Sequence, residues 1–516
     1  MTDKRQSAPP VSTPPPAMRL GDVVREIPGA PLVSGTADGF VSGVRHDSRA
    51  VEPGDVFVAR DGGRVSGLAF LSEAAKRGAA AVVVRRGAEL STSIPVVEVD
   101  DVPLALAIAS SAVYGHPSFG LDVVGVTGTN GKTTTALLSR ALIDGAGGRC
   151  GVVGTLGASF EGWVKPSVHT SPEADELART TREMRDHGAT HLVMEVSSIA
   201  LAAKRADAVR FRVAAFTNLT QDHLDYHGTM EAYGAAKRRL FADLGPGAAA
   251  VNVRDPFGAH LAGAVAKGTR VVRYASAADV GAPDVYPTRL EMGPTGTSLV
   301  AATPVGEVRV ESPLVGAHNV ENLLCAVSIG LCLDLEPDTL SAALSTPIAV
   351  PGRLERCDDP DRDDVVVLVD YAHTPDALSR VLSSVRPIAA GRVLCVFGCG
   401  GDRDPSKRPL MGDAAGRGAD LVIVTNDNPR GEDPRTIAEA AAAGVRATGT
   451  PHVIELDRRA AILAAIADAR PGDVVLVAGK GHETYQIIGG STLGFDDREG
   501  AREGLALRAA GKGGAS

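Results

Sequence analysis

A glycine-rich run that ends in a lysine and a threonine is the first chemical signal in this sequence. Residues 128–133 read GTNGKT, after an apolar run and before a helix-forming one. A turn between a buried strand and a helix points backbone N–H groups at a phosphate. Lys132 would neutralise the β- and γ-phosphates, and the Thr133 hydroxyl would bind Mg²⁺. The usual first glycine of this motif would fall on Val126, so this is a variant loop; an ordinary tight turn is the alternative.

A phosphate loop with a bound cation needs a carboxylate at the end of a neighbouring strand. Glu195 closes the apolar run HLVMEV and has that position. A single glutamate at a strand end is often a solvated side chain or a cap, but the preceding loop favours the metal-binding interpretation.

Polar side chains are dense in the segment 216–241, which follows another apolar run. The candidates are Asn218, Asp222, His223, Asp225, His227 and Lys237. Such a group forms either a loop with turn and capping roles or a second metal site. The spacing alone leaves both possibilities open.

The elements that would position these residues form an α/β protein. A chain of 516 residues exceeds the size of a single hydrophobic core. Short apolar runs alternate with helical stretches, which predicts βαβ units and largely parallel sheets. We predict domains at 18–122, 123–348 and 349–508, with a hinge at the Pro-Gly turn near 348. A proline-rich disordered tail would cover 1–17 and a frayed tail 509–516.

Composition restricts the partners and the compartment. The net charge of −9 and the pI near 5.8 disfavour binding to nucleic acid or to anionic membranes. The sequence has neither an apolar run long enough to span a membrane nor a signal-peptide core. The cysteines at 150, 325, 332, 357, 395 and 399 lack zinc-type pairs and are expected to be reduced thiols. We expect a cytoplasmic protein.

Several ordered motifs resemble those of the Mur ligases, which use ATP to add amino acids to the peptide stem of the peptidoglycan precursor. They are GTNGKT (128–133), MEVSS (194–198), TNLTQDHLDYHG (217–228), AAKRRLF (235–241), GAHNVEN (316–322) and DYAHTPDAL (370–378). Three further motifs resemble those of the members that add the third amino acid: GCGGDRDPSKRPLM (398–411), TNDNPR (425–430) and GKGHETYQ (479–486).

The resemblance implies an N-terminal α/β domain for the UDP end of the substrate, a central P-loop ATPase domain and a C-terminal Rossmann-like domain for the incoming amino acid. It implies that diaminopimelate is joined to UDP-MurNAc-L-Ala-D-Glu, with ATP as co-substrate and Mg²⁺ as cofactor. The D-Glu carboxylate would form an acyl phosphate, which the amine then attacks. We expect a monomer whose partners are these small molecules.

The resemblance also assigns roles to individual residues. The catalytic group is Lys132, Glu195, His223 and Lys237. The metal ligands are Thr133, Glu195, His223 and Lys237, the last as a carbamate, which is an anionic oxygen ligand where an ammonium would be repelled. A surface helix lysine is the alternative for Lys237. ATP contacts are Gly128, Thr129, Asn130, Gly131, Lys132, Thr133, Thr134, Asn319, Asn322, Arg353, Asp370 and His373. Contacts to UDP-MurNAc-dipeptide are Ser48, Thr170, Ser171, Ser197 and Arg205.

The pocket for the incoming amino acid would contain Arg403, Asp427, Asn428, Arg430, Gly479 and Glu483. Diaminopimelate ends in a second head with one ammonium and one carboxylate, so its pocket needs both signs of charge. The arginine fork of Arg430 suits the carboxylate, and Asp427 or Glu483 suits the ammonium. The alternative for the DNPR run is a turn built on Asx and Pro.

Other functions remain as alternatives. A folylpolyglutamate synthetase-like ligase shares the acyl-phosphate chemistry but would lack the DNPR and GKGHE runs. A non-catalytic nucleotide-sugar-binding relative would have lost catalytic residues, and a plain P-loop kinase or GTPase would not need a third domain. Three positions depart from the common family pattern, Leu68, Ile199 and Ala203. Residue types do not separate meso- from LL-diaminopimelate.

Overall fold

The computed structural model describes residues 15–29, 31–62, 65–293, 295–348 and 350–513. Most of the predicted N-terminal tail, residues 1–14, lies outside this part. At the other end the chain stays helical through residue 513, past the predicted start of fraying at 509. Arg508 anchors the part of this helix just before residue 509, because its guanidinium pairs with Asp364 and donates to the carbonyls of Ile466 and Ala469.

The first α/β unit is a five-stranded sheet with order β2-β7-β6-β5-β4, parallel except at β2. Strands 55–58 and 81–84 are buried throughout, which is typical of parallel strands covered on both faces. The elements are β1 (Met18–Arg19), α1 (Leu20–Glu26), β2 (Leu32–Ser34), β3 (Phe40–Val41), β4 (Gly43–Arg45), β5 (Asp55–Val58), α2 (Leu71–Lys76), β6 (Ala81–Arg85), β7 (Val96–Val99) and α3 (Val102–Val113).

The central unit is an eight-stranded sheet with order β11-β10-β9-β12-β8-β13-β14-β15, parallel from β9 to β15. Apolar side chains cover both of its faces. The elements are β8 (Asp122–Thr127), α4 (Lys132–Gly145), β9 (Cys150–Gly154), β10 (Gly157–Phe160), β11 (Trp163–Lys165), α5 (Ala174–Asp186), β12 (His191–Glu195), α6 (Ser198–Ala202), β13 (Val213–Phe216), α7 (Leu224–His227), α8 (Met230–Ala242), β14 (Ala248–Asn252), α9 (Pro256–Gly263) and β15 (Arg270–Tyr274).

A three-stranded antiparallel sheet, which the sequence reasoning missed, follows the central sheet. Its middle strand alternates buried and half-buried residues, the period-two pattern of a strand with one covered face. The elements are β16 (Tyr286–Gly293), β17 (Gly296–Thr303) and β18 (Gly306–Ser312), followed by α10 (Ala317–Cys332) and α11 (Pro337–Leu344). Helix α10 packs on α4 and so carries its side chains to the phosphate loop.

The third unit is a six-stranded sheet with order β19-β20-β24-β21-β22-β23, parallel except at β19. Its four long strands are continuous apolar runs, and the prediction of an α/β fold with mostly parallel sheets is confirmed. The elements are β19 (Glu355–Arg356), β20 (Val366–Asp370), α12 (Pro375–Val385), β21 (Val393–Cys399), α13 (Lys407–Gly418), β22 (Leu421–Asn426), α14 (Pro434–Thr448), β23 (His452–Ile454), α15 (Arg458–Asp468), β24 (Val474–Ala478), β25 (Tyr485–Ile488), β26 (Ser491–Gly494) and α16 (Asp497–Gly513).

Strand order explains why distant motifs meet. Strand β8 lies between β12 and β13 and is parallel to both, so the three carboxyl ends share one edge of the sheet. The loop 128–131, Glu195 and the segment after Phe216 therefore converge at that edge. The carboxyl ends of β20, β22 and β24 likewise bring together Asp370, Asp427 and Gly479.

Candidate active site

The loop 128–131 connects β8 to α4 in a conformation that requires glycine at two positions. A Cβ on Gly128 would lie 1.8 Å from Thr217 Oγ1, and one on Gly131 would lie 2.3 Å from Asn322 Oδ1. Gly131 also has a φ of 84°, in the left-handed region that favours glycine. Val126 is instead a buried residue inside β8. The variant positions of the glycines thus follow from the close approach of Thr217 and Asn322.

Backbone and side-chain groups after β13 hold this loop. The Asn130 N–H donates to Asn218 Oδ1 at 2.9 Å, and the Thr129 N–H donates to the Asn218 carbonyl at 2.8 Å. The Thr217 hydroxyl donates to the Asn130 carbonyl at 2.6 Å. Asn218 therefore supports the loop. This is the turn and capping role, the first of the two possibilities that the sequence left open for the polar residues of segment 216–241.

The Thr133 hydroxyl and the Glu195 carboxylate lie side by side below the loop. Thr133 Oγ1 is 3.0 Å from both carboxylate oxygens, and both residues are buried. Thr155, which follows β9, completes the arrangement: its N–H donates to Glu195 Oε1 at 2.8 Å and its hydroxyl to Oε2 at 3.1 Å. The carboxylate is thus held in a fixed orientation toward the loop.

Two lysines share one acceptor in the phosphate loop. Lys132 Nζ and Lys237 Nζ each lie 2.9 Å from the Gly128 carbonyl, and Lys132 also donates to the Thr129 carbonyl at 2.8 Å. Lys237 is only 1% exposed, with its ammonium 4.5 Å from the centre of the Tyr233 ring. The surface-lysine alternative for Lys237 is therefore wrong.

Burial lowers the pKa of Lys132 and holds the pKa of Lys237 well below its usual range, and the charge of Lys132 adds to the effect on Lys237.

His223 stands at the mouth of this group. Its φ is 53°, and its Nε2 lies 3.5 Å from Asp222 Oδ2. Burial lowers the pKa of His223, and the charges of Lys132 and Lys237 lower it further despite Asp222. The imidazole is therefore biased toward its neutral form. His227 points elsewhere, since its Nε2 lies 2.9 Å from Ser198 Oγ.

A cavity of about 260 Å³ extends from the loop to the third unit. Among the predicted nucleotide contacts, Asn322, Arg353, Asp370 and His373 line it together with residues 129–134. Asn319 lies behind Asn322, whose amide donates to Asn319 Oδ1 at 2.9 Å.

Asp370 contacts the segment that joins the central and third units. Its two carboxylate oxygens accept the N–H groups of Leu354 and Ala372 at 2.7 and 2.8 Å, and burial raises its pKa. Arg353 stacks over Tyr371, with 4.6 Å between the guanidinium and the ring centre.

The residues predicted for the amino-acid pocket meet at the ends of β22 and β24. Asn428 Nδ2 donates to Glu483 Oε2 at 3.1 Å. A Cβ on Gly479, whose φ is 117°, would lie 3.5 Å from Asp427 Oδ2. Arg430 donates to the Gly401 carbonyl at 2.8 Å. Arg403 is exposed on the loop after β21.

Lys480 completes this cluster and was missed by the sequence reasoning. Its ammonium is fully buried and lies 3.0 Å from Glu483 Oε2, 3.2 Å from Asn428 Oδ1 and 3.5 Å from Asp427 Oδ1. The sequence contained one indication of its role: Lys480 is the lysine of the GKGHE run, which begins directly after a buried strand.

The residues predicted to contact the nucleotide-sugar substrate fall into two groups. Ser171 Oγ donates to the Glu195 carbonyl and accepts the Ser197 N–H, both at 2.9 Å. Arg205 donates to the Ser171 carbonyl at 3.0 Å, and Thr170 lies 3.2 Å from Thr155 through their hydroxyls. These four therefore adjoin Glu195.

Ser48 lies apart from these residues, in the first unit, where its hydroxyl donates to Glu73 at 2.9 Å. Among the departures from the family pattern, Leu68 packs on the core of that unit, while Ile199 and Ala203 lie on α6 and at its end.

Comparison with known proteins agrees with this geometry. Three family models match: the Mur ligase family catalytic domain over residues 40–114, the Mur ligase middle domain over 126–330 and the Mur ligase glutamate ligase domain over 352–481. A UDP-N-acetylmuramoyl-L-alanyl-D-glutamate--2,6-diaminopimelate ligase of Gloeobacter violaceus is 44% identical over 96% of this chain and 99% of its own length. The chain belongs to the Mur ligase family.

Further relatives carry the same name. The ligase of Synechococcus elongatus is 45% identical over 91% of this Mur ligase and 94% of the relative. A solved structure of a ligase with this name superposes with a TM-score of 0.69 at 32% identity, covering 95% of this chain and 99% of its own. Mycobacterium tuberculosis folylpolyglutamate synthase, at 20% identity and a TM-score of 0.58, shares the fold alone and covers 72% of this chain.

The donor set of this Mur ligase fits Mg²⁺. The Thr133 hydroxyl and the Glu195 carboxylate are hard oxygen ligands, and Mg²⁺ usually takes one or two protein ligands together with phosphate oxygens and water. Within the ranges described above, no group of three or more His, Cys, Asp or Glu side chains gathers as an all-protein metal cage. No helix in the same part of the chain is long and apolar enough to cross a membrane.

Proposed function

We propose that this Mur ligase is an ATP-dependent ligase that joins diaminopimelate to UDP-MurNAc-L-Ala-D-Glu in peptidoglycan precursor synthesis. The relatives named above, which match this chain over nearly its full length, carry that name. The observation that carries the proposal is the charged cluster at the ends of β22 and β24. Asp427 and Glu483 lie around Lys480, and Arg430 adjoins them through the Asn428 carbonyl, so the cluster contains both signs of charge that the second head of diaminopimelate needs.

The nucleotide half of the site supports transfer of the γ-phosphate of ATP. Backbone N–H groups of residues 128–131 and the N-terminus of α4 would cradle the phosphates, and Lys132 would turn from the loop carbonyls toward them. Thr133 and Glu195 would hold Mg²⁺, which when bound neutralises charge that develops on the phosphate oxygens. Asn322, Arg353, Asp370 and His373 would hold the base and ribose.

The chemistry takes two steps. An oxygen of the D-Glu γ-carboxylate attacks the γ-phosphorus, the bond to the β-phosphate oxygen breaks, and ADP leaves. The amine of diaminopimelate, after losing a proton, attacks the acyl carbon; a tetrahedral intermediate collapses and phosphate leaves. The positive side chain of Lys132 lies at the edge of the sheet where the anionic groups would meet, which supports electrostatic stabilisation of both steps.

The environment of Lys237 supports its carbamylation. A carbamate forms when a neutral amine attacks the carbon of CO₂ and releases a proton. Burial and the charge of Lys132 lower the pKa of Lys237, so a larger fraction of the amine is neutral than in a solvated lysine. The product is an anion between Lys132 and His223, and it would serve as an oxygen ligand or orienting group for a second Mg²⁺.

We propose the contacts of the nucleotide-sugar substrate from the positions of the candidate residues. Thr170, Ser171, Ser197 and Arg205 adjoin Glu195 and would contact the muramoyl dipeptide, while Ser48 in the first unit would contact the uridine end. The Ser48 turn is connected to this region, because His46 Nδ1 lies 2.8 Å from Asp175 Oδ1. We further propose a cytoplasmic monomer.

A panel of amino acids tests the function. Phosphate release from ATP is measured with UDP-MurNAc-L-Ala-D-Glu and each of meso-diaminopimelate, LL-diaminopimelate, lysine and ornithine. We expect one diaminopimelate isomer to be used best. Preference for lysine would overturn the assignment, release with a folate and glutamate instead would favour the folylpolyglutamate alternative, and nucleotide-sugar binding with no release would favour a non-catalytic relative.

A further inference from the structure

Apart from the exposed Arg403, two positive and two negative side chains lie at the ends of β22 and β24, but they are paired unequally. Lys480 is buried against Asp427 and Glu483, with its ammonium 3.5 and 3.0 Å from their oxygens. Within the residues that the structure describes, Arg430 has no carboxylate within ion-pair distance; its guanidinium donates to the Gly401 and Asn428 carbonyls. The two carboxylates, which form the acidic side of the pocket, therefore already share a cation, whereas no carboxylate in the described ranges pairs with Arg430.

We propose that Lys480 is a specificity-determining residue: as a built-in counter-ion it reduces the charge of the acidic side from two negatives to one. This proposal rests on the function proposed above. The other cation behind the pocket, Arg458, is matched by Asp497 through two contacts of 2.7 Å and does not change the balance. The pocket thus offers one net negative charge for one ammonium and an unpaired arginine for one carboxylate.

The charge balance distinguishes diaminopimelate from lysine. The distal head of diaminopimelate is neutral overall, with one charge of each sign, and it meets one complementary charge for each. The distal end of lysine carries only an ammonium, which would gain more from a doubly negative acidic side. Lys480 removes that advantage, because its ammonium repels the ammonium of the ligand and weakens the attraction of Asp427 and Glu483 for it. Lysine has no distal carboxylate whose contact with Arg430 could compensate.

Lys480 also fixes the geometry of the acidic side. Asn428 Oδ1 accepts from Lys480 and from the Ile487 N–H at 2.9 Å, while its amide donates to Glu483. This orients the Asn428 amide in one direction and places Glu483 Oε2 between two donors. Lys480 acts through these partners, so it is a positioning residue.

Two variants separate charge from shape. Lys480→Met retains the length of the side chain without its charge, and Lys480→Arg retains the charge without the shape. We measure kcat/KM for diaminopimelate and for lysine, the KM for ATP, and thermal unfolding, with Lys267→Met at an exposed site as the matched control. We expect Lys480→Met to lower the diaminopimelate-to-lysine ratio at least about tenfold at an unchanged KM for ATP. Lys480→Arg should retain the ratio better than Lys480→Met, and the control should equal the parent.

A charge-balanced double variant tests the mechanism even if the single variants lose rate. Lys480→Met with Glu483→Gln again leaves one net negative charge, so the ratio should recover relative to Lys480→Met alone. The counter-ion role would be overturned if Lys480→Met left the diaminopimelate-to-lysine ratio at the parental value. It would also be overturned if the double variant did not restore that ratio. If the parent enzyme itself prefers lysine, the proposed function fails; if the parent prefers diaminopimelate and only the variants disagree, this inference alone fails.

Discussion

The ion pair between Arg458 and Asp497 joins α15 to α16 in the interior of the third unit. Both side chains are 0% exposed, and the guanidinium makes two contacts of 2.7 Å to the carboxylate. Two further N–H groups donate to the Asn426 and Ala478 carbonyls at 3.1 and 2.9 Å. In Asp497→Asn, an NH₂ group replaces one of the two carboxylate oxygens, so an amide donor faces a guanidinium donor. The buried guanidinium also loses its counter-charge. We expect a loss of about 3–5 kcal/mol in the free energy of opening this region.

The chain supplies a matched control one residue away. Arg459 pairs with Glu503 between the same two helices, but on the surface, with Arg459 Nη2 2.5 Å from Glu503 Oε1. Glu503→Gln removes the same kind of charge from a solvated pair, and we expect it to leave the opening free energy unchanged within error. Burial is therefore the main variable that differs between the two substitutions.

Hydrogen exchange measured by mass spectrometry is the suitable assay, because a chain with three domains does not unfold in one step. Peptides from α15, α16 and β24 report the opening free energy of the third unit. Fluorescence of Trp163, the only tryptophan, reports the central unit and should not change. Equal, small effects of Asp497→Asn and Glu503→Gln in α15 and α16 would refute the reasoning from burial.

Four further substitutions have defined outcomes. Glu195→Gln should lower phosphate release by about 100-fold or more, because an amide lacks the charge that holds the cation; a parental rate with the same Mg²⁺ requirement would contradict this. Lys237→Ala should abolish ligation and the uptake of labelled bicarbonate, and added formate should restore part of the activity, whereas near-normal activity would argue against a carbamate. Arg430→Lys should weaken transition-state binding of diaminopimelate by about 2 kcal/mol without changing the KM for ATP, since an ammonium cannot reproduce the arginine fork; equal kinetics would place Arg430 outside the pocket. Burial lowers the pKa of His46 but the contact with Asp175 outweighs it, so the net pKa is raised above its ordinary 6.5. The stabilisation of the folded protein by this pair is complete below pH 6.5 and is lost as the pH rises through the raised pKa. His46→Asn should flatten this pH dependence in thermal unfolding, and an unchanged pH profile would exclude the pair as its source.

The phosphate loop was predictable because its chemistry is local in the chain. A buried strand, a glycine-rich turn and a helix follow one another within residues 122–145, so the order of residue types already defines the anion site. The long strands of the third unit were predictable for a similar reason, since continuous β-branched runs indicate parallel strands buried on both faces.

The antiparallel strands β16, β17 and β18 were missed, although burial alternates with a period of two in β17 and β18. Their exposed face carries polar and charged residues that single-sequence reasoning does not separate from loop segments. Thr155 was missed because nothing in its local sequence indicates that β9 lies beside β12.

The sequence by itself determined the set of chemical groups: a lysine and a threonine at a phosphate loop, a glutamate at a strand end, and charges of both signs in the DNPR and GKGHE runs. Only the tertiary structure decided which of these groups face one another. The ammonium of Lys237 meets the carbonyl of Gly128, and that of Lys480 meets Asp427, across long separations in the chain. The physical reason is that Coulomb and hydrogen-bond energies depend on distance and burial in space, and strand order sets both.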